Sequence, residues 1–313
     1  MKKMILTIVL DPILEKEYYV DRLYPKIETL ATKISYDLGG KGNVLTKILN
    51  NLNLDVFSIG FLGGLNGVYI FDQLKIRGIY NDFISIKDDS RGAMYLFEDG
   101  QLISTIIEPG PRIIRDELVS FYELYGRVIE RHEIICGLGS LPMGVPKEIY
   151  YELIDLANRK DKKFILDAEG LELTYGIEAL PFMVKLNKND LEEISKLKLN
   201  FENEIIKIGY SILEKGIEIV VIDLNEDGTI VLTKDRGYRL ELFEMDIRDI
   251  GEDKGYIVSG YAFGIERQYD LETTMRLSQA MRIVYGFERN LDKVDMSDIK
   301  KIMGEIEISP IYY

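Results

Sequence analysis

The sequence predicts an α/β fold: a mostly parallel sheet covered by helices on both faces, with a small β-sheet lid attached. Three observations carry that expectation. Strand-like and helix-like apolar patterns alternate along most of the chain, as they do where βα units build a parallel sheet. One run, Glu218-Ile219-Val220-Val221-Ile222-Asp223, is apolar and β-branched between charged ends, as a strand buried on both faces must be. Two segments, Tyr18 to Ile34 and Ile84 to Ile107, break the alternation with short β-branched and aromatic runs separated by turns. They read as the lid, spanning about residues 13–36 and 84–107.

Taken in order, Met1-Lys2-Lys3 leads straight into an apolar run, Met4 to Leu10, that reads as a first strand rather than the core of a cleavable leader. Val44 to Leu52 carries apolar residues at helical spacing, and Val56-Phe57-Ser58-Ile59-Gly60 follows as a strand. A further helix and strand come next. Then Glu133-Ile134-Ile135-Cys136 reads as strand, Pro146 through Arg159 as helix, and both Phe164-Ile165-Leu166-Asp167 and Phe182-Met183-Val184-Lys185 as strands. No repeat, low-complexity stretch or linker interrupts the pattern, so the 313 residues, 46% of them hydrophobic, read as one domain over 1–313.

Composition excludes several function classes. Thirty-nine basic against 53 acidic residues leave a net charge of -14, which argues against a nucleic-acid partner, because that binding rests on Lys and Arg displacing counterions. An anionic ligand would need a local basic pocket. One cysteine, Cys136, excludes an internal disulfide, and one histidine, His132, excludes His-rich zinc or copper chemistry. No stretch approaches the roughly 20 apolar residues of a membrane span. The expected setting is the reducing cytoplasm, with no membrane partner.

Short motifs then recur in a consistent order. They are Leu10-Asp11-Pro12-Ile13-Leu14-Glu15, Asp37-Leu38-Gly39-Gly40-Lys41-Gly42, Gly60-Phe61-Leu62-Gly63-Gly64 with Gly67, Glu108-Pro109-Gly110-Pro111, Gly139-Ser140-Leu141-Pro142 with Gly144-Val145-Pro146, and Lys185-Leu186-Asn187-Lys188-Asn189-Asp190-Leu191. Nearly end to end, this resembles the PfkB (ribokinase-like) carbohydrate kinases, on the branch of 1-phosphofructokinase and tagatose-6-phosphate kinase. The resemblance implies a three-layer α/β/α ribokinase-like domain and a sugar or sugar phosphate as ligand. It implies ATP and Mg²⁺ as cofactors if the chain is active, and none otherwise. It also implies a homodimer through the lid, with Tyr95 and Phe97 facing the partner chain.

Residue by residue, the resemblance places Asp11, Glu15, Gly39, Gly40, Lys41, Asn43, Arg91 and Ser140 on the substrate side. It places Lys185, Asn187, Asp223, Asn225 and Gly228 on the nucleotide side, with Asn187 and Asp190 helping to hold Mg²⁺ through water. Several positions depart from the family. Glu15 is longer by one methylene than the family's sugar-binding Asp, and Asp11 replaces an Asn. In a gapless match Val44 falls where the family has a phosphate-reaching Asn, with Asn43 one place early. Ala93 and Tyr95 replace an amide and a lysine.

The largest departure lies in Ile250-Gly251-Glu252-Asp253-Lys254-Gly255-Tyr256. Aligned on Val258-Ser259-Gly260-Tyr261, the family's G-A-G-D becomes Glu252-Asp253-Lys254-Gly255. In the family, backbone N–H groups at this helix start hold phosphate oxygens and the Asp takes the sugar's proton. Gly255 cannot accept a proton. Loss of a base alone is worth about 10²–10⁴ in rate, and two added carboxylates oppose an incoming triphosphate.

Three readings follow. The first is a kinase-like protein that has lost efficient phosphoryl transfer and serves in binding or regulation. The second is an active ATP-dependent kinase of fructose-1-phosphate, fructose-6-phosphate or tagatose-6-phosphate that uses Asp253 as a displaced base. The third is a kinase of an unphosphorylated sugar or nucleoside.

Overall fold

The computed structural model describes residues 4–241, 252–288 and 290–312. Ile250 and Gly251, which open the acidic turn, lie outside the described residues. The chain begins with β1 (Met4–Val9), then leaves the main body for β2 (Ile13–Val20) and β3 (Lys33–Gly39). It returns through α1 (Lys41–Asn51), β4 (Val56–Leu62), α2 (Gly64–Ile76) and β5 (Tyr80–Ser85), then leaves again for β6 (Gly92–Glu98) and β7 (Gln101–Ile107). Asp99 and Gly100 join these last two with positive φ at both positions (47° and 78°), the backbone that a two-residue hairpin turn requires.

Regular alternation follows: α3 (Arg115–Val128), β8 (His132–Leu138), α4 (Ile149–Arg159), β9 (Lys163–Asp167), α5 (Gly170–Glu178), β10 (Met183–Asn187), α6 (Lys188–Ser195), α7 (Glu202–Leu213) and β11 (Ile219–Asp223). The described chain finishes with β12 (Thr229–Thr233), β13 (Gly237–Glu241), α8 (Tyr256–Glu266), α9 (Leu271–Phe287), α10 (Met296–Met303) and β14 (Glu307–Ile311). The helix expected from Pro146 starts at Ile149, because Pro146 carbonyl accepts the Ile149 N–H in a turn ahead of it. Among the described residues no helix is long and apolar enough to cross a membrane.

The large sheet has the order β14-β13-β12-β11-β10-β9-β8-β1-β4-β5 among the described residues. From β11 to β5 every pairing is parallel, while β12, β13 and β14 are added antiparallel at one edge. Side chains alternate faces along each strand, and both faces are covered. Val220 and Ile222 enter one apolar core beneath α3, α4, α5 and α7, whereas Val221 enters another with α1, α8 and α9. This gives the three-layer α/β/α architecture.

The second sheet, β3-β2-β6-β7, is the lid; its first segment runs on to Gly39, past the expected 36, and its second is shorter than the expected 84–107. Ile84 and Ser85 pair with Phe61 and Leu62 in the large sheet, so that segment contributes to the lid only from Gly92 onward. Leu14 and Leu38 of the lid pack with Leu62, Ile70, Leu74 and Ile79 around α2, an apolar seat that ties the two sheets together. Tyr95 and Phe97 do not face outward as expected. The two-residue period of β6 turns both toward the main domain, with Phe97 stacked on Tyr19 of the neighbouring lid strand at 4.8 Å between ring centroids, and leaves Met94 exposed.

Candidate active site

Parallel strands bring their carboxyl ends to one edge of the sheet, and the side chains of interest gather there. Asp167, Asn187 and Asp223 are the last residues of β9, β10 and β11; Asp11 and Ser140 follow β1 and β8; Lys41 opens α1.

Asp253 sits just before α8 and caps it. Its Oδ1 accepts the N–H groups of Tyr256 at 2.8 Å and Ile257 at 3.2 Å, two of the first-turn donors that a helix leaves unpaired. Its Oδ2 lies 3.2 Å from Lys185 Nζ, which is also 3.7 Å from Asp223. Burial would raise the Asp253 carboxyl, but Lys185, Arg282 and the Ile257 N–H together hold it below the ordinary aspartate value. Lys185 is nearly buried; burial would lower its ammonium, and Asp167, Asp253 and Asp223 outweigh that and raise it.

Gly255, where the resemblance expects a carboxylate, is the residue preceding the first turn of α8, at φ 95° and ψ 13°. A Cβ there would stand 3.1 Å from both the Lys41 carbonyl oxygen and Leu138 Cδ2. The left-handed backbone favours glycine here, and the turn packs tightly on the start of α1. Lys41 itself is held by Asp167 at 3.1 Å and Glu169 at 3.0 Å; burial would lower it, and these acids raise it.

Across the cleft, Arg91 Nη2 lies 2.8 Å from Asp11 Oδ2 and donates to Ser140 Oγ at 3.1 Å. Ser140 donates back to Asp11 Oδ2 at 3.1 Å, closing a triangle. Burial raises the Asp11 carboxyl more than Arg91 and Ser140 lower it. On the lid, Tyr95 donates to Glu15 at 3.3 Å, with Lys254 3.7 Å from the same oxygen and 5.7 Å over the Tyr95 ring. Gly39 makes room for Glu15, whose Cγ would lie 2.3 Å from a Cβ at that position.

Three cavities meet here. One of about 760 Å³ takes Asp11, Gly40, Lys41, Arg91 and Ser140. One of about 480 Å³ takes Lys185, Asn187, Asp190, Asp223, Asn225 and Asp253, again with Lys41. A third of about 400 Å³ takes Glu15, Tyr95, Phe97 and Lys254. Glu252, an exposed side chain, borders all three. Three of the expected ligand residues line none of these cavities: Gly39, which makes room for Glu15, and two that lie elsewhere. Asn43 is wholly buried and donates to the Gly39 carbonyl inside α1, and Gly228 makes a turn at φ 91° ahead of β12.

Residues 9–249 match the profile of the pfkB family carbohydrate kinases. The chain belongs to that family. A 1-phosphofructokinase of Borreliella burgdorferi is 27% identical over 311 residues, 99% of each chain. A candidate phosphofructokinase from Staphylococcus aureus superposes with a TM-score of 0.86 at 24% identity, covering 98% of this chain and 99% of that one. The tetrameric inhibited form of phosphofructokinase-2 from Escherichia coli superposes with a TM-score of 0.83 at 20% identity, over 97% and 99%. The two structures establish a shared ribokinase-like fold.

An active pfkB-family kinase implies ATP and Mg²⁺, and the cavity expected to take the nucleotide has a lining that opposes a triphosphate. It is lined by six carboxylates against three lysines, and Asp253 already takes two N–H groups at the helix start. Asn187 and Asp190 cap α6 reciprocally, Asp190 N–H donating to Asn187 Oδ1 at 2.9 Å and Asn187 N–H to Asp190 Oδ2 at 2.7 Å. Burial pushes the Asp190 carboxyl up to about 6. Among the described residues no group of three or more His, Cys, Asp or Glu side chains is arranged to hold a metal ion.

Sequence reasoning passed over Asp167 and Glu169, which hold Lys41, and the Lys47–Asp37 pair beside the third cavity. A signal existed for each. Asp167 is an acid ending a buried strand, like Asp223, and Lys47 is a lone charge among Val44, Leu45, Ile48 and Leu49.

Proposed function

We propose that this pfkB-family chain binds a small hydroxylated ligand, a sugar or sugar phosphate, beneath its lid and has lost efficient phosphoryl transfer, serving as a binding or regulatory protein. One observation carries the reading. Asp253 is spent on the first turn of α8 and on Lys185, so the helix start offers neither a free anion site nor a carboxylate turned toward the sugar side. Asp253 borders the 480 Å³ cavity, whereas Asp11 and Glu15 border the other two. Release of ADP from ATP with fructose-1-phosphate, fructose-6-phosphate or tagatose-6-phosphate tests it. We expect turnover at least about 10²-fold below the roughly 1–100 s⁻¹ of ordinary kinases; rates within that range overturn the reading.

A second reading has its own observation: Asp253 is kept ionised and lines the cleft, as a displaced base requires. It predicts measurable turnover that Asp253→Asn abolishes while leaving ligand affinity intact.

The lid supports a homodimer. Ile34, Tyr36, Met94, Leu102, Ile103, Ile106 and Ile107 are exposed on it, and β7 is an open edge. The E. coli relative described as tetrameric is consistent with self-association in this fold. Sedimentation should show a dimer that Ile103→Asp with Ile106→Asp converts to monomer. Buried, unpaired Cys136 fits the reducing cytoplasm.

A further inference from the structure

The Arg91–Ser140 corner of the 760 Å³ cavity carries the donor set of an anion site. A guanidinium and a hydroxyl converge on a single oxygen, the arrangement that a phosphate oxygen would otherwise complete. Here that oxygen is Asp11 Oδ2, on a side chain only 4% exposed and fixed to the chain. A phosphate entering the corner meets a resident carboxylate already holding Arg91 Nη2 and the Ser140 hydroxyl, with only the Arg91 Nε–H left buried without a partner. The rest of the lining makes the repulsion worse: Glu169, Glu172, Glu193 and Glu252 stand against Lys41, which Asp167 and Glu169 already hold.

The other carboxylate oxygen points the same way. Asp11 Oδ1 is buried and has no hydrogen-bond partner. An orphaned acceptor calls for a donor, which a hydroxyl or amine supplies and the dianionic phosphoryl group of a sugar phosphate lacks.

From this geometry we infer that Asp11 is a specificity-determining residue: it converts the Arg91–Ser140 corner from a phosphate subsite into one that excludes phosphate, so the ligand is a sugar or polyol unphosphorylated at that end. The inference rests on the ligand-binding reading above and narrows its ligand class.

Calorimetric titration without nucleotide tests it, with fructose, fructose-1-phosphate, fructose-6-phosphate and inorganic phosphate as probes. Wild-type protein should bind the phosphorylated probes and free phosphate no tighter than about millimolar. Asp11→Asn, which keeps the shape and removes the charge, should gain at least about 10-fold for them relative to fructose. The gain should vanish when Arg91→Ala is added. Should Asp11→Asn fail to fold, Asp11→Ser reads the same quantity. Wild-type binding of a phosphorylated probe that neither variant strengthens, or no gain in any folded variant, overturns the inference. Titration without ATP is blind to turnover, so the two readings fail separately. Rapid phosphorylation of fructose would defeat the non-catalytic reading alone, and tight phosphosugar binding without turnover would defeat this one alone.

Discussion

Two carboxylates, Asp253 and Asp11, each occupy a place where a phosphate oxygen would find donors, and they are held in opposite ways. Asp253 is built into the backbone: it caps α8, pairs with a buried lysine, and lies beside a tightly packed left-handed turn at Gly255. Asp11 is held by side chains alone, Arg91 and Ser140, on a cavity wall where Arg91 keeps 20% of its side chain exposed. The environments differ accordingly. Charge and N–H donors win over burial at Asp253, while burial wins at Asp11. Asp253 is thus tied to the fold, whereas Asp11 stands on a cavity wall, where the proposed role in specificity would lie.

Stability measurements are the most direct way to break that contrast. Asp253→Ala removes a cap and strips Lys185 of one buried counter-ion, so urea unfolding should report a loss of about 3–5 kcal/mol. Asp11→Ala leaves a partly solvated guanidinium and should cost about 1 kcal/mol. Equal losses would erase the distinction. Gly255→Ala comes next in size, about 1–3 kcal/mol, because it forces a side chain into left-handed backbone against the Lys41 carbonyl. An unchanged unfolding midpoint would mean that the turn is not packed as described.

The pH dependence sharpens the same comparison. The folded Asp253 carboxyl lies below its unfolded value of about 3.8, so its stabilisation is present above pH 4 and is lost as pH falls through the folded value. The deficit of Asp253→Asn should therefore shrink in acid. Asp11 is raised, so its ionisation favours the unfolded chain as pH climbs above about 3.8. Relative to wild type, Asp11→Asn should look best near neutrality and lose that advantage below pH 4. Parallel pH profiles for the two variants would contradict the assignment.

The smallest expected effect serves as a control at a pair that lines none of the three cavities. Asp292 takes both Arg77 nitrogens at 2.7 and 2.8 Å, and the hydrogen bond from Arg77 lowers its carboxyl to about 2. Because Asp292 is 46% exposed, solvent screening limits the pair to about 0.5 kcal/mol. Asp292→Asn should lose that much at pH 7, and the difference should fade between pH 4 and pH 2.

Much of this was legible in the sequence, for reasons particular residues make plain. Val220, Val221 and Ile222 announce a strand buried on both faces because nothing in them can face water. Ordered glycine motifs such as Gly39-Gly40 with Gly42, and Gly139, mark where backbone must approach closely or take positive φ. Pairings between distant side chains were not legible. Arg91 and Asp11 are 80 residues apart, and Lys41 and Asp167 are 126 apart, so no local pattern couples them. Likewise, the facing of Tyr95 and Phe97 turned on which side of β6 meets the main domain, which a two-residue period alone leaves undecided.

The apolar seat beneath the lid sets a thermal signature for ligand entry. Lifting Leu14 and Leu38 off Ile70 and Leu74 wets hydrocarbon, and that hydration carries a positive heat capacity. If the sheet must rise before a ligand enters, association rates will trace a curve rather than a line against reciprocal temperature, with opening relatively easiest in the cold.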